Sequence, residues 1–87
     1  MEVDIFKSVS DERRRQEKKW GTQNHSPLLW HSILSEEVGE VAKEINEYGF
    51  SSEVHRLEQA RTELIQVAAV AIAFADSLDR NELNRFQ

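Results

Sequence analysis

Two short clusters of polar side chains set the chemistry open to this chain. Ser35-Glu36-Glu37-Val38-Gly39-Glu40 holds three carboxylates close together, and Arg61-Thr62-Glu63-Leu64-Ile65-Gln66 puts Glu63 and Gln66 three residues apart. On a helix turning about 100° per residue, Glu37 falls between Ile33 and Val41, Glu40 borders the same face and Glu36 points further out. Glu63 shares a side with Val70 and Phe74. A carboxylate among apolar neighbours is costly to bury unless a positive charge shares its site, and no Lys or Arg stands at an obvious partner position in either seam. A divalent metal ion is the simplest cation to supply. Oxygen ligands alone, with no Cys and no His one turn from the glutamates, select a hard ion such as Mg²⁺, with Mn²⁺ as a substitute. Magnesium in turn implies a phosphate substrate, because it bridges phosphate oxygens and holds or acidifies an attacking water.

These side chains need helices to bring them together, and the sequence supplies the pattern for three. Its 87 residues make one domain, 1–87, with a single core, and three Gly, one Pro, 39% hydrophobic and 31% charged residues suit an amphipathic all-α protein. Nowhere do apolar and polar residues alternate as in a half-buried strand. A first helix is expected from about Val3 to Lys19, with Ile5, Phe6 and Val9 on one side and a largely solvated, basic second half. Trp20 to Pro27 reads as a loop that ends with Ser26 as N-cap and Pro27 at the first helical position. The second helix runs to about Tyr48, with Leu34, Val38, Val41, Ile45 and Tyr48 as its apolar seam and Gly49 as its left-handed stop. After a turn in which Ser51 or Ser52 is the cap, the third helix extends from about Glu53 to Leu78. Between Leu64 and Ala75 it contains one polar residue, Gln66, and is apolar on every side. Two other helices of a short chain cannot cover such a surface. The expected architecture is an antiparallel helical bundle completed by a homodimer or dimer-of-dimers assembly, the alanines allowing close helix approach.

Composition narrows the function further. The absence of Cys excludes a disulfide scaffold, a zinc-thiolate site and thiol catalysis. The formal net charge is −5, with six Lys/Arg against five Asp/Glu in residues 1–30 and five against eleven in residues 31–87. An acidic body of this kind repels nucleic acid and attracts metal cations, and through them phosphates. Met1-Glu2-Val3-Asp4 lacks the order of a signal peptide, and the apolar run from Val67 to Ala75 is too short to span a bilayer, so a cytoplasmic protein without a membrane partner is expected.

At the acidic clusters the sequence resembles the MazG-like all-α nucleoside triphosphate pyrophosphohydrolases, a group that includes the dimeric dUTPases and the dCTP pyrophosphatases. The family pattern is E-E-x-x-E on one helix and E-x-x-D on the next, matched here by Glu36, Glu37 and Glu40 and by Glu63, with Gln66 in place of the aspartate. Lys19-Trp20-Gly21 and His25-Ser26-Pro27 extend the likeness, which covers roughly residues 13–78. The resemblance implies a helical dimer or tetramer that cleaves an NTP or dNTP between the α and β phosphates, releasing the monophosphate and pyrophosphate. It also implies metal ligation by Glu37, Glu40 and Glu63, with Gln66 at the remaining ligand position. Glu36 and Glu37 are the expected catalytic acids, with Glu36 as an additional ligand or an aid to placing the water.

Lys18, Lys19, Trp20 and His25 are the candidate substrate-binding residues, since ring stacking and phosphate charge suit a nucleotide. The plainer alternatives are a solvated basic face for Arg13 to Lys19, a core or interface role for Trp20 and Trp30, and a helix-capping loop histidine for His25. Two rival functions also fit the sequence: a catalytically weakened relative that binds nucleotide or a protein partner without turnover, suggested by Gln66, and a plain helical oligomerisation module.

Overall fold

A computed structural model describes residues 4–85, and over them the chain forms three helices: α1 (Ile5–Trp20), α2 (Pro27–Ser51) and α3 (Val54–Asn81). The all-α expectation holds, and Val3, the expected start of the first helix, lies outside the described residues. Asp4 caps α1 by accepting from the Lys7 backbone N–H at 3.1 Å, and Lys18 and Lys19 face the negative end of its dipole in the last turn. Gly21 ends it at φ 71°, where a side chain is disfavoured, and gives its N–H to the Glu17 carbonyl at 2.7 Å. Ser26 accepts from the Leu29 N–H at 3.2 Å and Pro27 opens α2, as the sequence predicts.

The far end of α2 differs from the expectation. Gly49 is helical and the chain continues to Ser51, leaving the left-handed residue at Ser52, φ 58°. Hydrogen bonding accounts for the extra turn: the Ser52 N–H reaches the Tyr48 carbonyl at 2.8 Å, and Ser51 Oγ donates to the Glu47 carbonyl at 2.9 Å while accepting from the Glu53 N–H at 3.2 Å. Glu53, not a serine, is the N-cap of α3, and it caps without a side-chain bond. With only Ser52 and Glu53 between them, α2 and α3 fold back as an antiparallel pair, pinned near the turn by Arg56 Nη1 to Glu44 Oε2 at 3.3 Å.

The long α3 packs against both other helices and forms the floor between them. Ala69, Ala73 and Ser77 recur every fourth residue and are buried, so this small-residue stripe lets its neighbours approach closely. Trp30 of α2, 2% exposed, fills the core with Val70 and Ala73, and its ring stacks on Phe74 at 5.8 Å. Arg80 and Asn81 at the end of α3 bind the α1–α2 loop, with Arg80 Nη2 at 3.1 Å and Asn81 Nδ2 at 2.8 Å from Asn24 Oδ1.

The second half of α1 is less solvated than its composition suggests. Gln16 is buried and Glu12 and Arg13 are half-buried, because this face meets α3. The burial is tolerated because both ends of the Gln16 amide are bonded: Oε1 accepts from Arg13 at 3.1 Å and Nε2 donates to Glu12 at 3.1 Å. The expected seam of α2 is covered on one side only, Val38 and Ile45 being exposed while Leu34, Val41 and Tyr48 are half-buried. Among the described residues no helix is long and apolar enough to cross a membrane.

Candidate functional site

The α2–α3 hairpin brings Glu37 and Glu63 to a common neighbour. With its amide nitrogen turned toward them, Gln66 donates to Glu63 Oε2 at 2.9 Å and to Glu37 Oε2 at 3.2 Å, so one side chain bridges two carboxylates on two helices. Both carboxyls are half-buried. Burial, first of all, raises the Glu37 pKa above the ordinary carboxylate value, and the charges of Glu63, Glu40, Glu12 and Glu36 add to it. Burial also raises the Glu63 pKa, followed by the charges of Glu40 and Glu44. Among the described residues no cation offsets either shift, so both acids hold a proton more readily than an exposed carboxylate does.

The remaining acids are less close. Glu36 and Glu40 are exposed on α2, and among the described residues no three Asp, Glu or His side chains converge as a ready-made metal cage. Glu40 nonetheless acts through its field on both Glu37 and Glu63.

A cleft of about 350 Å³ opens beside this pair, with α3 as its floor at Gln66 and Val70, α2 as one wall at Trp30, Ile33 and Glu37, and α1 as the other at Glu12, Arg15 and Gln16. Trp20 and Gln23 close one end. The sequence candidates for substrate contact divide here. Trp20 lines the cleft, half-exposed, whereas Lys18 and Lys19 are exposed and line none of it; the Lys19 ammonium rests 4.7 Å from the Trp20 ring. His25 packs edge-on against Trp30 at 4.9 Å behind the cleft, and the cap of α2 is Ser26.

Four polar cleft residues were not singled out from the sequence as site residues: Gln23 in the loop, and Glu12, Arg15 and Gln16 on α1. The common face of the last three was legible in principle, because 12, 15 and 16 are related by three and four residues and 12 follows Val9 by three. The density of charge around them hid it. Trp30 Nε1 adds an unsatisfied donor, buried without an acceptor in a side chain that lines this cleft. The site thus holds half-buried acids on one side, a guanidinium and an amide on the other, and an aromatic ring at its end. Comparison with protein families, curated proteins and solved structures yields no match to this chain, so the residues themselves carry the functional argument.

Proposed function

We propose that this protein is a Mg²⁺-dependent nucleoside triphosphate pyrophosphohydrolase, hydrolysing an NTP or dNTP to the monophosphate and pyrophosphate and so clearing excess or unwanted nucleotides. The observation that carries the reading is the Glu37–Glu63 pair: two half-buried acids from different helices beside an open cleft, both with raised pKa that no cation among the described residues lowers. The donor set suits the ion. Carboxylate and amide oxygens are what Mg²⁺ takes, and like-charge repulsion between the acids is the energy that a divalent cation relieves. Glu37 and Glu63 would hold it, Glu40 would join from its exposed position at the edge of the pair, and Gln66 would turn its Oε1 toward it. When bound, the ion supplies charge neutralisation at the phosphates and a more acidic water. Glu37, on the cleft wall, would orient that water, with exposed Glu36 one residue before it as an additional ligand or aid, and Trp20 would offer a ring face to the base. Exposed Leu64 and Ile72 on α3 and Val38 and Ile45 on α2 support the homodimer or homotetramer expected with this activity.

One observation favours a second reading, a catalytically weakened nucleotide-binding relative. The Gln66 amide, turned toward the two carboxylates, donates one hydrogen bond to each, an arrangement that needs no metal. A screen of NTPs and dNTPs with Mg²⁺ or Mn²⁺, read by pyrophosphate release, decides between them. Turnover that disappears in Glu37→Gln and Glu63→Gln, with weaker metal binding by calorimetry, is the expected result. Nucleotide binding without turnover selects the second reading, and unchanged metal affinity in both variants overturns the metal site.

A further inference from the structure

We infer that Arg15, held in place by Glu12, is the residue of this chain that grips the substrate's phosphates; the inference rests on the function proposed above and assigns the contact to an arginine in place of Lys18 and Lys19. Three consecutive arginines make a comparison possible. Arg13 spends its guanidinium on Gln16 Oε1 at 3.1 Å and Glu17 Oε1 at 2.9 Å. Arg14 pairs with Asp11 at 2.6 Å and lies outside the cleft, its side chain 70% exposed. Among the described residues, Arg15 is the one cation on the cleft wall.

Its geometry is fixed for the task. Glu12 takes the guanidinium in a two-pronged fork, Arg15 Nε to Oε1 at 2.9 Å and Nη2 to Oε2 at 2.6 Å. Glu12 is itself only 13% exposed and is anchored by the buried Gln16 amide at 3.1 Å. The fork uses two of the five guanidinium N–H groups, leaving the Nη1 edge for a second anion without breaking the first pair. A planar group anchored along one edge and open along the other is a preorganised oxyanion receptor, which a lysine on a flexible stem is not.

The two walls of the cleft differ: α1 presents the Arg15 guanidinium paired to Glu12, and α2 presents the carboxylate of Glu37 above Gln66. A polyphosphate with its divalent ion also has two unlike sides, free oxygens on one and metal on the other, and so fits in one orientation. Trp20, a little over one turn beyond Arg15 on the same helix, lies within reach of the base carried by that polyphosphate.

Calorimetric titration of the whole chain with inorganic pyrophosphate and Mg²⁺, together with steady-state kinetics on whichever nucleotide is turned over, tests the assignment. Arg15→Gln is expected to weaken pyrophosphate binding about tenfold or more, the worth of one charge-assisted contact. Arg15→Lys should recover part of the loss, and Glu12→Gln should raise KM more than it lowers kcat. Arg14→Gln, which removes the same charge one residue away, should stay within about twofold of the parent, because Arg14 lies off the cleft wall and its longer-range field is screened by salt. Melting curves establish that each variant is folded. A folded Arg15→Gln that binds like the parent overturns the inference alone, as does an Arg14→Gln that loses as much. A parent protein that binds neither pyrophosphate nor any nucleotide removes the proposed function and this inference with it.

Discussion

Gln66 stands between two acids, and its Nε2, turned toward them, donates to Glu37 and Glu63. An amide in that position tempers the repulsion that an aspartate would increase. Gln66→Asp exchanges two donated bonds for a third negative charge, so the metal-free protein should lose about 1–2 kcal/mol near neutral pH. The same variant should gain more from Mg²⁺ than the parent does, since a full carboxylate is the stronger ligand. Thermal melts with and without Mg²⁺ measure both effects, and a variant indifferent to the ion would remove position 66 from the ligand set. The sequence already pointed to Glu37, Glu63 and Gln66 as neighbours, because apolar flanks made each of them anomalous. It could not give the direction of the Gln66 hydrogen bonds, which depends on how two helices sit against one another.

Among the elements, the start of α2 was more legible than its stop. Ser26-Pro27 is a local signal, since a serine oxygen and a ring without an N–H settle the first turn of α2 whatever packs on it later. The end of α2 is not local. Gly49 carried the expected stop, but the hydrogen bonds of Ser51 and the antiparallel return of α3 move the left-handed residue to Ser52. At Gly21 the positive φ is required, and an added Cβ would meet no atom within 4 Å. Gly21→Ala should therefore cost about 1–3 kcal/mol through backbone strain alone, and a chemical denaturation curve with unchanged slope would verify it. The three helices of the described residues followed from periodicity, whereas the cleft on α1 did not, because its polar residues look like any solvated helix face until α3 covers Gln16.

Considered as a whole, the molecule carries opposing pH responses. Glu37 and Glu63 have folded pKa values raised above the usual 4.5, so their protonation stabilises the fold, fully below 4.5 and progressively less as pH climbs through the raised values. Asp11 and Glu12 are lowered, chiefly by hydrogen bonds from Lys7 and from Arg15 respectively, so their contribution is present above 3.8 and 4.5 and fades as pH falls through the lowered values. The metal-free protein should melt higher near pH 5 than at pH 8 and lose stability again in stronger acid; saturating Mg²⁺ should flatten the upper part of that curve. Circular dichroism melts across the range provide the check. The apolar surface leads to a further expectation. Ile5, Phe6 and Val9 of α1 and Ile72 of α3 line a second groove of about 740 Å³, and Phe6 is 87% exposed. Light scattering at micromolar concentration should give at least a dimer, and Ile72→Glu should shift it toward monomer; a parent that is already a 10.1 kDa monomer would contradict the assembly. Lastly, the two tryptophans lie in contrasting surroundings: Trp30 is sealed against Phe74, while Trp20 is half in solvent at the end of the cleft. Their fluorescence therefore separates into two channels. Iodide should quench Trp20 and spare Trp30, so a nucleotide entering the cleft would shield the exposed emitter, while the buried one stays beyond the quencher's reach as long as the chain is folded.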